Sequence, residues 1–260
     1  MSGPVFGIDR IEDLSARLAG LGESGDLGAA VPACPGWSFA DLLWHVLEVQ
    51  DFWAYVIGNR PEPPERYVEP ARPLDTELAI GLKNATARLL DALSGADPAD
   101  VAWSWSKDKT VGFTIRRQTH EALTHMVDGF QSQGRALPEL DPELWSDGVG
   151  ELVTMFFTGV PDWGTFTRTS EALKLETVDT GDEWTIAFGQ LVGTSPDSGT
   201  VYDTPIAECV PGESPAASIS GAAQDLNLWM WGRGDESRLV KSGDAALVAQ
   251  LRPLIIDATQ

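Results

Sequence analysis

Near neutral pH the imidazole is the side chain best suited to bind a divalent metal or to move a proton, and this 260-residue chain has three of them, His45, His120 and His125. The string His120-Glu121-Ala122-Leu123-Thr124-His125 resembles the H-E-x-x-H pattern of zinc proteases with one residue too many. At about 100° per helical residue the two histidines stand roughly 140° apart, so they cannot share one ion. Glu121 and His125 are different, because a spacing of four puts them roughly 40° apart and one turn along the same face. That pair can chelate. If a helix carrying His45 lies beside theirs, two imidazoles and one carboxylate converge, and three protein ligands leave at least one position open, as catalytic zinc sites do. The same pair can also form an exposed contact worth a few tenths of a kcal/mol, and spacing alone leaves both readings open.

Helices must position these residues. Ile11, Leu14, Leu18 and Leu21 repeat at helical spacing and stop at Gly22. A second helix is expected after Pro35-Gly36-Trp37, with Ser38 as its cap and Asp41 in its first turn. Leu42, Val46, Val49, Trp53 and Val56 form its apolar stripe, and His45 lies roughly 60° from the centre of that stripe. The prolines within 59–73 bar any regular element there. A third helix follows through Leu78, Leu82, Leu89 and Leu93, a fourth over about 111–133, and a shorter fifth over about 142–157. Such a run of amphipathic helices predicts an antiparallel four-helix bundle. Beyond Pro161-Asp162-Trp163-Gly164 the apolar period becomes two: Leu173, Leu175 and Thr177, then Trp184, Ile186 and Phe188, read as a hairpin about Asp179-Thr180-Gly181-Asp182. A further strand is expected near 200–209, and helices at 224–231 and 244–251. The chain is thus expected to be a two-domain α+β protein, with a helical bundle over 1–162 and a small α+β domain over 163–260.

Lys and Arg number 18 against 39 Asp and Glu, a net charge of −21. A chain so acidic repels phosphate backbones and anionic lipid, which disfavours nucleic acid and membrane surfaces as partners. Apolar runs such as 152–157 are far too short to span a bilayer, and the opening MSGPVFGIDR lacks the basic and apolar stretches of a leader. A soluble cytoplasmic protein is expected. Cys34 and Cys209 form no C-x-x-C pair and suggest neither a disulfide framework nor a zinc knuckle. Each reads as a buried small apolar residue; the alternative for Cys34 is a reactive thiol at a helix entry. The ten tryptophans, Trp44, Trp103 and Trp105 among them, are read as core packing.

The stretch Pro32-Ala-Cys-Pro-Gly-Trp-Ser-Phe-Ala-Asp-Leu-Leu-Trp-His45, with Arg116-Arg117-Gln-Thr-His-Glu121-Ala-Leu-Thr-His125-Met-Val-Asp128, resembles the mycothiol-dependent maleylpyruvate isomerase family of the DinB-like superfamily. In the second half, Val178-Asp-Thr-Gly-Asp-Glu-Trp184 and Ser220-Gly-Ala-Ala-Gln-Asp-Leu-Asn-Leu-Trp-Met-Trp-Gly-Arg233 are similar to that family's C-terminal domain. The resemblance implies a DinB-like bundle whose metal ligands map onto His45, Glu121 and His125. It further implies that Asp128 orients a ligand or binds polar groups of mycothiol, and that Arg233 pairs with a substrate carboxylate. Arg116 and Arg117 are read as structural ion-pair residues whose bearings differ from those of the ligands, and His120 as support for the fold.

The implied activity is that of a metal-dependent enzyme, zinc being the expected ion. Mycothiol is the thiol cosubstrate, used as its thiolate to attack a small electrophilic substrate that can carry a carboxylate. Isomerase and S-transferase outcomes share that step. The alternatives are a thiol-independent metalloenzyme working through a metal-bound water and a non-catalytic protein that binds a small ligand. A monomer and a homodimer are both compatible with the sequence.

Overall fold

The computed structural model describes residues 5–258 and divides into two compact units, Met1–Glu139 and Leu140–Gln260. In the first, α1 (Ile8–Ser24), α2 (Phe39–Gly58), α3 (Leu78–Ser94) and α4 (Val111–Ser132) pack in a closed circuit: α1 against α3 and α4, and α2 against α3 and α4. The interior is the set of stripes expected from period 3.6, with Leu14, Leu18, Leu42, Val46, Leu82 and Leu89 all essentially inaccessible to water. Helix α1 runs through Gly22 to Ser24 rather than stopping at it.

The start of α2 is fixed locally. The Ser38 hydroxyl accepts from the Asp41 amide at 3.2 Å while the Asp41 carboxylate accepts from the Ser38 amide at 2.9 Å, a reciprocal capping box. Arg72 then donates to Asp41 at 2.6 Å, tying the proline-rich connector to the helix entry. Hydrogen bonds from the Ser38 hydroxyl, Arg72 and the Ser38 amide together hold the Asp41 carboxyl down at about 2. Farther along the connector, Tyr67 donates to Asp51 at 3.2 Å and packs edge-on against Phe52. The connector therefore runs beside α2, as an irregular strap. On α4, the Thr110 side chain accepts from the Phe113 amide at 3.1 Å and caps the helix.

In the second unit, a five-stranded sheet has the order β3-β2-β1-β4-β5. The expected hairpin is present as β1 (Gly164–Thr177) and β2 (Glu183–Thr194), antiparallel, with Leu173 opposite Ile186 and Leu175 opposite Trp184. Its turn uses Gly181 at φ 77°, a left-handed conformation that suits glycine. Strand β3 (Val201–Cys209) pairs antiparallel with β2, while β4 (Ala217–Gly221) runs parallel to β1 and antiparallel to β5 (Val240–Gly243). Helices α6 (Ala223–Met230) and α7 (Ala245–Ala258) pack on this sheet. Strands β4 and β5 are not evident from the sequence pattern: each is only four or five residues long, too short for a clear alternation.

One helix differs from expectation. The fifth, α5 (Pro142–Met155), packs with α6 and buries Val149, Leu152 and Val153 in the core that holds Leu173, Ile186 and Ile219. Asn227 on α6 also donates to the Trp145 carbonyl at 3.0 Å. Its apolar face is therefore matched to a sheet rather than to the four-helix interior. The cysteines also depart from the expectation of burial: Cys34 is half-buried, Cys209 is exposed, and neither is in a disulfide. Among the described residues no helix is long and apolar enough to cross a membrane.

The approach of α1 to α4 depends on Gly129. A Cβ there would lie 2.5 Å from the Leu18 Cδ1 and 3.3 Å from the Phe39 ring, both in buried side chains with little room to move. Gly129→Val is expected to destabilise the protein by about 1–3 kcal/mol through overpacking, read as a lowered midpoint of thermal or urea unfolding.

Candidate functional site

Because α2 and α4 are neighbours, His45 on one faces Glu121 and His125 on the other. The Glu121 Oε1 lies 3.3 Å from the His45 Nε2 and 3.1 Å from the His125 Nε2, and the two imidazole rings meet edge-on with centroids 4.9 Å apart. The donor atoms of the three residues lie within 4.8 Å of one another, and among the described residues this is the one His, Cys, Asp and Glu group so placed. Around a tetrahedral ion with bonds of about 2.0–2.1 Å, neighbouring donors sit roughly 3.3 Å apart. Two imidazole nitrogens and one carboxylate oxygen at these spacings suit zinc or a similar divalent ion.

Asp128 is fully buried and its Oδ2 lies 2.9 Å from the His125 Nδ1. With Nδ1 donating to Asp128, the neutral ring presents the Nε2 lone pair to the cluster, the arrangement that orients metal-binding histidines. Side-chain exposure rises from 0% at Asp128 through 11% at His125 and 18% at Glu121 to 33% at His45. The cluster is therefore closed at the Asp128 end and open to solvent at the His45 end.

Three further residues complete the site, and the sequence pattern did not place them there. Arg117 donates through Nη2 to the Glu121 Oε2 at 2.7 Å. It does form an ion pair, but with a candidate ligand; residues 117 and 121 are one turn apart on the same face, so the expectation of a different bearing is corrected. That signal was present in the i, i+4 spacing. Trp37 and Cys34 come from the loop before α2: the Trp37 ring lies 5.0 Å from that of His45, and the Cys34 Sγ lies 3.9 Å from the Asp128 Oδ2. No spacing rule along the chain brings these to α4. His120 is buried on another face of α4, in keeping with a role in the fold. Arg233 lies in the second unit, just beyond α6, where its Nη1 donates to the Trp231 carbonyl at 2.5 Å.

The charges hold one another in place. Burial works against ionisation of Glu121, but the facing His125, hydrogen bonds from both imidazoles and the Arg117 charge hold its carboxyl well below the usual carboxylate range. Burial likewise favours a neutral His125, yet the Glu121 charge and the Asp128 hydrogen bond overcome it and push the imidazole up to about 9.

These features define a class of protein: a helical unit bearing two imidazoles and one carboxylate on adjacent helices, followed by an α+β unit. Residues 9–128 match the family described as the mycothiol maleylpyruvate isomerase N-terminal domain. Two solved structures are similar to the chain, one of the mycothiol-dependent maleylpyruvate isomerase and one of a histidine-to-alanine mutant of it. Each covers 92% of this chain and 92% of its own, with a TM-score of 0.59, at 15% and 14% identity respectively. At that identity the likeness is one of fold. No curated protein matches the sequence.

Two outcomes follow from the site's charges. In metal-free protein the His125 ring is expected to titrate near 9, and Asp128→Asn should lower that midpoint; ring-proton NMR over a pH series reads both. A divalent ion must displace the same proton, so its apparent affinity should rise roughly tenfold per pH unit toward about 9 and then level off, as measured by competition with a chromophoric chelator.

Proposed function

We propose that this chain is a metal-dependent, mycothiol-using cytoplasmic enzyme that presents a thiol as thiolate to a small electrophile. It acts either as a cis–trans isomerase of the maleylpyruvate type or as a mycothiol S-transferase, on a DinB-like bundle. The observation that carries this reading is the convergence of His45, Glu121 and His125 within a domain of the mycothiol maleylpyruvate isomerase family. A solved structure similar in fold across nearly the whole chain is that of the mycothiol-dependent maleylpyruvate isomerase, which is the precedent for the isomerase form.

His45, Glu121 and His125 would hold the ion; zinc suits two imidazoles and a carboxylate, and its charge lowers the pKa of a thiol beside it. Asp128 keeps the His125 Nδ1 occupied, so that only Nε2 serves the cluster. The exposed flank at His45, with the Trp37 indole against it, is the side from which a thiol and its substrate arrive.

For the isomerase, the thiolate sulfur adds to one carbon of a cis double bond conjugated to a carbonyl, and the pair of π electrons moves onto the carbonyl oxygen. The former double bond rotates as a single bond. The electrons then return, the C–S bond breaks, and the trans product leaves with the thiolate regenerated. For the transferase, a proton is taken up at the neighbouring carbon and the C–S bond stays. Arg233, whose planar guanidinium suits a carboxylate, is the proposed partner for an acidic substrate.

Elemental analysis of tag-free protein is expected to find about one divalent ion per chain, with zinc the expected metal, and less in His45→Ala and Glu121→Ala. Turnover of a conjugated cis-keto acid should require thiol and be lost in His125→Ala. Protein that holds no metal after reconstitution, or turns substrate over equally without thiol, would overturn the proposal.

A further inference from the structure

The two oxygens of Glu121 are in different hands. Oε1 faces both imidazoles, at 3.3 and 3.1 Å, whereas Oε2 accepts from the buried Arg117 Nη2 at 2.7 Å. The Arg117 side chain is only 7% exposed and sits one turn before Glu121 on the same helix, so backbone geometry as well as burial maintains the contact. A carboxylate can offer an ion one oxygen or two, and a flexible, unheld carboxylate is free to do either. Here the second oxygen is engaged by a charge-assisted hydrogen bond that does not depend on an ion being present.

We propose that Arg117 is a positioning residue that restricts Glu121 to one-oxygen ligation, so that the cluster keeps a coordination position for an incoming thiol. The inference rests on reading His45, Glu121 and His125 as a metal centre. It gives Arg117 a task matching that of Asp128: Asp128 fixes which nitrogen His125 presents, and Arg117 fixes which oxygen Glu121 presents. Arg117 also carries a positive charge that offsets the second carboxylate nearby, so the negative charge of Glu121 and Asp128 together does not fully quench that of a divalent ion. Lysine in its place would keep the charge but not the planar donor geometry.

The test loads tag-free full-length protein with Co2+ and uses N-acetylcysteine as a small thiol probe. In the wild type, Co2+ is expected to bind stoichiometrically, and N-acetylcysteine should add a sulfur-to-cobalt charge-transfer band. In Arg117→Gln the released Oε2 competes for that position. The visible Co2+ spectrum should change and probe affinity should fall about tenfold or more, with Arg117→Lys lying between the two. A residue that only supports the fold would lower the unfolding midpoint while leaving the Co2+ spectrum and probe affinity of the folded protein unchanged. Unchanged spectra and affinities in both variants would therefore overturn the proposal. If Arg117→Gln does not fold, Arg117→Lys decides in the same way: an altered spectrum with weaker probe binding supports the role, and wild-type values overturn it. A wild-type protein that takes up no Co2+ overturns the metal reading itself, and is distinguished from failure of the Arg117 role by that first titration.

Discussion

A carboxylate sunk between two helices has to be compensated, and the compensation of Glu121 organises the helical unit. Its charge would be costly in a partly dry site if left alone. Arg117 meets one oxygen, while His45 and His125 meet the other. Since His45 stands on α2 and the rest on α4, the arrangement holds only while those helices remain neighbours at a fixed rise. Val46 and Leu42 in the interior, the Ser38–Asp41 capping box and the Arg72 contact to Asp41 all serve that requirement from the α2 side. Gly129 serves it from the α4 side, by letting α1 close against α4 one residue past Asp128.

The same charges that stabilise the metal-free cluster are those a cation would use. A raised His125 keeps its proton where Glu121 and Asp128 face it, and a divalent ion entering the cluster replaces that proton with a larger positive charge. An overall charge of −21 favours the approach of cations to the protein as a whole. The graded exposure from Asp128 outward to His45 separates a rigid inner end, where orientation is set, from an accessible outer end where other molecules can meet the cluster.

The second unit follows a different logic. Its sheet places the antiparallel β1–β2 hairpin at the centre and adds β4 alongside β1 in parallel, so the chain must cross over between them. Helix α5 precedes all the strands in sequence yet buries Leu152 and Val153 in their core. The likeness to the solved isomerase structures extends over both units, although the matched family region ends at residue 128.

Much of this was legible from local chemistry. The four helices of the first unit, the capping box at Ser38, the β1–β2 hairpin and the pairing of Glu121 with His125 depend on spacings within a few residues, where helix and strand periods act directly. The i, i+4 relation of Arg117 to Glu121 is equally local. What spacing could not decide was long-range: that α2 lies beside α4, that the loop carrying Cys34 and Trp37 closes on Asp128 and His45, and that α5 packs on a sheet. An amphipathic stripe records that a helix has a buried face but not which partner covers it. The sequence by itself therefore determined the donor types, their phase on each helix and the acidic surroundings. Only the tertiary structure decided that donors 76 positions apart meet, because that depends on which apolar faces pack together.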